Sequence, residues 1–127
     1  MAGKRIFTSF AIEDKVLRDF LIGQRNNNHS SIEFTDMSVK EPWSSSWKTN
    51  CRSRIKGCDG IIVIVTKNSK KADGQLWEVK CAIEEGIPIL GIWGSSDDKG
   101  MILPSDLQNI IIKNWKWDSI SDWVGKL

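Results

Sequence analysis

Apolar and polar positions along this chain alternate between two periods, one near 2 residues and one near 3.6. Arg5-Ile6-Phe7-Thr8-Ser9-Phe10 is dense in β-formers and predicts a first strand. Val16, Leu17, Phe20 and Leu21 then recur at helical spacing, which predicts a first helix that buries this stripe. Beyond the polar stretch Asn26 to Ser30, the alternating run Ser31-Ile32-Glu33-Phe34-Thr35 reads as a second strand, nearer a sheet edge. A long connection from Asp36 to about Ser46 carries Pro42 and Trp43. Trp47, Cys51, Ile55 and Cys58 follow as the inward stripe of a second helix. Ile61-Ile62-Val63-Ile64-Val65 is a continuous β-branched run, as in a central parallel strand buried on both faces. Asp73-Gly74-Gln75 opens a third helix with stripe Leu76, Val79 and Ile83, closing at Gly86. Ile89-Leu90-Gly91-Ile92 is a fourth strand, and Gly94 to Asn109 is polar and loop-like around Met101-Ile102-Leu103. Ile110 to Ile112 makes the last strand; Ser119-Ile120-Ser121-Asp122 has the form of a capping box for a final helix with stripe Ile120, Trp123, Val124 and Leu127.

This βαβα order predicts an α/β domain: a mostly parallel five-stranded sheet with helices on both faces. Ligands in such folds bind at the carboxyl ends of the strands, beside the point where strand order reverses. The candidate crevice is therefore built from Ser9 to Asp14, Asp36 to Trp43, Thr66 to Asp73 and Trp93 to Asp98.

Composition narrows the class. At 127 residues the chain is expected to form one domain, 1–127, with no linker or repeat. Its 18 Lys plus Arg against 16 Asp plus Glu give a formal charge of +2, too mild to predict nucleic-acid or membrane binding. The N-terminus, Met1-Ala2-Gly3-Lys4-Arg5, leads straight into a strand and shows no signal peptide. The three cysteines lack metal-ligand spacing; Cys51 and Cys58 lie about two turns apart on one stripe, too far for a disulfide. Free thiols and the missing leader point to the cytoplasm. Aromatic usage is uneven, with seven Trp, four Phe and no Tyr.

Several chemistries are unsupported. There is no P-loop and no GxGxxG after a strand, and the only histidine, His29, lies in a polar loop, a poor base for a triad. With one His and scattered Cys, no metal site is expected. The end of the third strand carries Thr66-Lys67 where a phospho-acceptor receiver needs an aspartate. What remains at the strand ends is carboxylates, hydroxyls, indoles and lysines. Asp36 ends the second strand, and Glu78 lies in the first turns of the third helix, with small neighbours Cys81 and Ala82 leaving space around it. Glu78 reads either as a catalytic acid or as an acid favoured by the helix dipole. Lys48, Arg52, Arg54 and Lys56 read either as a solvated helix face or as a positive field for a dinucleotide's phosphates, to which Lys67, Lys70 and Lys71 could add. Trp43 and Trp77 flank the proposed crevice as candidates for stacking on a base, with core packing an equal reading for Trp77.

These segments resemble a known family. Lys4 to Phe10, the loop Asp36-Met37-Ser38-Val39-Lys40-Glu41-Pro42-Trp43, Ile61 to Thr66, Leu76-Trp77-Glu78-Val79 and Gly86-Ile87-Pro88-Ile89-Leu90-Gly91-Ile92 together look like a TIR-like domain. The branch is that of the TIR subunit of the Thoeris antiphage system, which also occurs among archaeal TIR-like proteins. The resemblance implies a flavodoxin-like three-layer fold and cleavage of the nicotinamide–ribose bond of NAD, with NAD as substrate and no cofactor. It implies Glu78 as the catalytic carboxylate and Ser9, Phe10 and Asp36 as pocket residues, beside the candidates Trp43 and Trp77. Where catalytic TIR domains often carry a Trp four residues before the Glu, this chain has Gly74, and Trp77 directly precedes the acid. The implied product is a cyclic or modified ADP-ribose read by a separate effector protein. Two other readings stand beside it: a non-catalytic module that self-associates through Trp93, Trp115 and Trp117, and a nucleoside deoxyribosyltransferase-like enzyme.

Overall fold

A computed structural model describes residues 3–127; Met1 and Ala2, the start of the leaderless reading, lie outside them. Five strands form one sheet: β1 (Arg5–Ser9), β2 (Glu33–Thr35), β3 (Gly60–Val65), β4 (Ile89–Trp93) and β5 (Ile112–Lys113). Four helices pack on it: α1 (Lys15–Asn27), α2 (Ser45–Lys56), α3 (Asp73–Glu84) and α4 (Trp117–Gly125). The sheet is parallel throughout, in the order β2-β1-β3-β4-β5.

The β-branched run of β3 lies at the centre and is buried along its whole length. Its side chains alternate between two cores. Ile61, Val63 and Val65 join Phe7, Trp47, Cys51, Ile55 and Val79 beneath α2 and α3. Ile62 and Ile64 join Ile6, Phe10, Leu21, Leu90, Ile92 and Ile120 beneath α1 and α4. By the same alternation, Ser9 shares the face of Phe7 and looks toward α3. Ser44 caps α2 by accepting from the Trp47 amide at 3.3 Å. Gly86, at φ +69°, ends α3 in a Schellman turn, its amide on the Ile83 carbonyl and that of Ile87 on Ala82. All three cysteines are free and buried, and Cys58 lies beyond the end of α2, after the capping Gly57.

Several boundaries and faces differ from the sequence pattern. On α1 only Leu21 is fully buried, while Val16 is 75% and Phe20 63% exposed. A tight 3-10 turn at Ile12–Asp14 sets the helix's rotation, so Leu17 and Leu21 face the sheet. Phe20 instead meets the edge of Trp115, with ring centres 5.9 Å apart. On α3 the buried face is Gly74, Gln75, Glu78, Val79, Cys81 and Ala82, and Ile83 is exposed. The first two strands are shorter than their sequence runs because Phe10 and Ile32 are buried outside the ladder. The last strand begins two residues late, with Ile112 opposite Gly91. The Ser119–Asp122 capping box is not formed: α4 starts at Trp117, and Lys116 in the N-cap position makes no side-chain cap. Gly94 to Asn109 is more than a connector. It contains two short 3-10 turns, and Leu107 is fully buried in the α2–α3 core. No helix among the described residues is long and apolar enough to cross a membrane.

Candidate active site

Strand order reverses between β1 and β3, and a cleft of about 320 Å³ opens above their carboxyl ends. Three of the four expected segments converge there. Ile12 and Glu13 come from the turn after β1, Lys40, Pro42 and Trp43 from the β2–α2 loop, and Lys71 to Gln75 from the turn before α3 and its first residues. The fourth, Trp93 to Asp98, lines a separate hollow with Asn114 and Trp115. It is turned away because Asp98 accepts from the amides of Lys67 and Ser95, folding the β4 loop against the β3 loop.

Glu78 lies under the cleft. Its carboxylate is wholly buried, a rare state for an acid unless it is paired. Oε1 accepts a hydrogen bond from Ser9 Oγ at 2.8 Å, and Oε2 accepts one from Lys40 Nζ at 2.7 Å. The Lys40 side chain is itself only 7% exposed. Its ammonium also sits 4.2 Å from the centre of the Phe10 ring, in cation–π range. Gly74 makes this approach possible: a Cβ there would come within 2.9 Å of Lys40 Cβ. Burial pushes the Glu78 carboxyl up to about 7, against the opposing pull of Lys40 and Ser9. A carboxyl held near neutrality can exchange its proton at working pH, as catalytic acids and bases must.

The other expected residues divide. Ser9 touches Glu78 directly. Phe10 is fully buried beneath Lys40 and beneath Arg18, whose guanidinium carbon is 5.2 Å from the ring centre. Asp36 closes β2 and accepts from Arg18 Nη1 at 2.8 Å, while Arg54 donates to its carbonyl. Trp43 stands at the cleft rim and is 78% exposed. Trp77 lies outside the cleft. It packs edge-on to Trp47 at 5.5 Å and walls a groove of about 390 Å³ between α2 and α3 with Lys48, Arg52 and Lys56. Helical geometry explains this, since consecutive residues diverge by about 100° around the axis. Of the basic residues on α2, Arg52 is held by Glu84 and Glu85 and Arg54 by Asp36, so half of that field is engaged internally.

Sequence reasoning missed three participants. Arg18 shows only as a polar position on α1. Lys40 stands within the quoted loop without a role, although Gly74 opposite marks the space its stem fills. Gln75 is a polar residue one turn before Glu78 on the same buried face, and that coincidence was the available signal.

Residues 7–99 match the model of the Thoeris protein ThsB TIR-like domain family. The chain belongs to this family. Among solved structures, a prokaryotic SEFIR domain superposes on the TIR-like domain with a TM-score of 0.59, covering 98% of this chain and 94% of that one. Sequence identity is 12%, so this likeness is one of fold alone. No curated protein matches the chain.

Proposed function

We propose that this TIR-like domain cleaves NAD, with Glu78 as the catalytic carboxylate, in the cytoplasm and in antiphage defence. The observation that carries the reading is the buried Glu78 carboxylate beneath a cleft at the β1–β3 reversal, joined to Ser9 and capped by Lys40. Membership of the Thoeris family supports the defence role.

The chemistry suits a site with one acid. The bond between ribose C1′ and the nicotinamide nitrogen breaks, and its electron pair leaves with nicotinamide as a neutral molecule. No proton donor is needed for departure. Glu78 accepts hydrogen bonds from ribose hydroxyls and its negative charge stabilises the oxocarbenium-like transition state. Water then adds at C1′ and releases a proton, giving ADP-ribose, or a nucleophile within the same molecule adds there and gives a cyclic product. The product is the signal for a separate effector. Trp43 at the rim offers an indole for stacking, and Lys71 a cation for the phosphates. Because Glu78 is fully buried, Lys40 must withdraw before any ribose touches it.

Nicotinamide release from NAD, followed by chromatography, tests the reading. Glu78→Gln should lower the rate about 100-fold or more. Equal rates for the parent chain and this variant would remove Glu78 from the mechanism. A second reading, a self-associating module, has its own observation: Val16 and Phe20, one turn apart on α1, are apolar side chains 75% and 63% exposed. Concentration-dependent assembly with no heat of binding to NAD would favour that module instead.

A further inference from the structure

Gln75 precedes Glu78 by one turn of α3 and is 1% exposed. Its Nε2 donates to the carbonyl of Ile64 at 2.7 Å and to that of Ser9 at 3.2 Å. Both partners are acceptors, so the amide can point only one way: nitrogen toward the strand ends, oxygen away from them. Both donors are used. Oε1 is then the residue's one uncommitted polar atom, and it is buried without a hydrogen-bond partner among the described residues. Buried acceptors are rarely left unpaired, because losing water without a replacement is costly. Thr8 Oγ1 is in the same condition, but it belongs to the opposite face of β1 from Ser9. Gln75, by contrast, lines the cleft. The Lys40 stem lies across Gly74, the residue before it, on its way to Glu78.

We infer that Gln75 is a specificity-determining residue whose Oε1 accepts a hydrogen bond from one ribose hydroxyl while Glu78 accepts one from its neighbour. The inference rests on the reading of Glu78 given above. Positions i and i+3 of a helix share a face, so the two side chains offer paired acceptors to paired donors. A vicinal diol supplies such donors, and a deoxyribose does not. In the closed site Lys40 satisfies Glu78 alone, and Oε1 stays unmet. A ribosyl ligand that displaces Lys40 would satisfy both. The site thereby selects ribosyl over deoxyribosyl ligands, which separates it from a deoxynucleoside transferase.

Gln75 also ties β1 to β3, so the test must set recognition apart from this clamp. Calorimetry with the full chain would compare NAD with the two analogues that each lack one hydroxyl of the nicotinamide ribose. The parent should prefer NAD over each analogue by about tenfold, the worth of one hydrogen bond. Gln75→Met should abolish the preference over one analogue and keep that over the other, which Glu78 still reads, and Gln75→Glu, which keeps an acceptor, should preserve both. A clamp role alone would weaken all three ligands by one common factor, and that result overturns the inference. Nicotinamide release measured in parallel separates the two claims. Cleavage of NAD with both preferences intact in Gln75→Met sinks the role of Gln75 and leaves Glu78 standing. A preference that Gln75→Met abolishes, with no nicotinamide released, sinks cleavage and leaves Gln75 standing. Binding of none of the three ligands overturns both.

Discussion

Lys40→Met removes the one cation bonded, among the described residues, to a fully buried carboxylate while keeping most of the side chain's bulk. Breaking a buried ion pair from one side costs about 3–5 kcal/mol if the other charge stays. Glu78 can avoid that cost by holding its proton, so the penalty must depend on pH. With Lys40 present, the folded-state carboxyl titrates at about 7. Without it, two influences that lower this value vanish, and the carboxyl stays protonated to higher pH. The unfolded chain's glutamate is ionised throughout this range. The variant's folded state therefore binds the extra proton across pH 6 to 8, and its stability falls as pH rises. The parent falls too, but levels off once Glu78 ionises above about 7. The destabilisation caused by Lys40→Met should accordingly grow between pH 6 and pH 8, by up to about 1.4 kcal/mol, one pKa unit's worth. Urea unfolding followed by tryptophan fluorescence at both pH values measures it, provided the two proteins share an m-value. On heating, the same difference is worth about 4 °C in Tm. A destabilisation equal at both pH values would refute the coupling between Lys40 and Glu78 ionisation.

Two further outcomes follow from the same geometry. Nicotinamide release should rise through pH 7, by close to tenfold between about pH 6 and 7.5, because the reaction uses the ionised form of a carboxyl raised to about 7; a flat profile in stopped assays would exclude Glu78 ionisation as the controlling event. Gly91→Val should destabilise by about 1–3 kcal/mol in thermal unfolding, since even a Cβ there would stand 2.9 Å from Ile112 Cγ1 and 3.1 Å from the Ile111 carbonyl oxygen; an unchanged Tm would mean that β5 moves aside freely.

The sheet was legible in the sequence wherever burial on both faces forces an uninterrupted apolar run, as from Ile61 to Val65. The third helix was legible as an element but not as a face. Its apolar stripe suggested Ile83, yet the side turned inward carries Gln75 and Glu78, because a buried polar pair looks like a solvent face to a hydrophobicity pattern. On α1, Val16 and Phe20 fit the helical period but stay exposed, since the turn at Ile12–Asp14, not the period, sets the rotation. Within the candidate site, Glu78 and Ser9 could be placed from strand ends and family spacing. Lys40 could not, because its bond to Glu78 spans 38 residues and depends on how the β2–α2 loop folds back. Trp77 was misdirected by adjacency: its neighbour Glu78 turns inward beneath the cleft, and it faces the α2–α3 groove.

Both edges of the sheet are short. β2 offers three residues, with an exposed Arg5–Glu33 ion pair bridging it to β1, and β5 offers two, one of them Lys113. Strand addition needs a longer run of free backbone donors and acceptors than either provides, and charge at an edge discourages it further. Copies of this domain that gather at high local concentration are thus guarded against joining sheet to sheet into fibres. Any partner of this domain would have to grip helices and loops, where contacts can be released again.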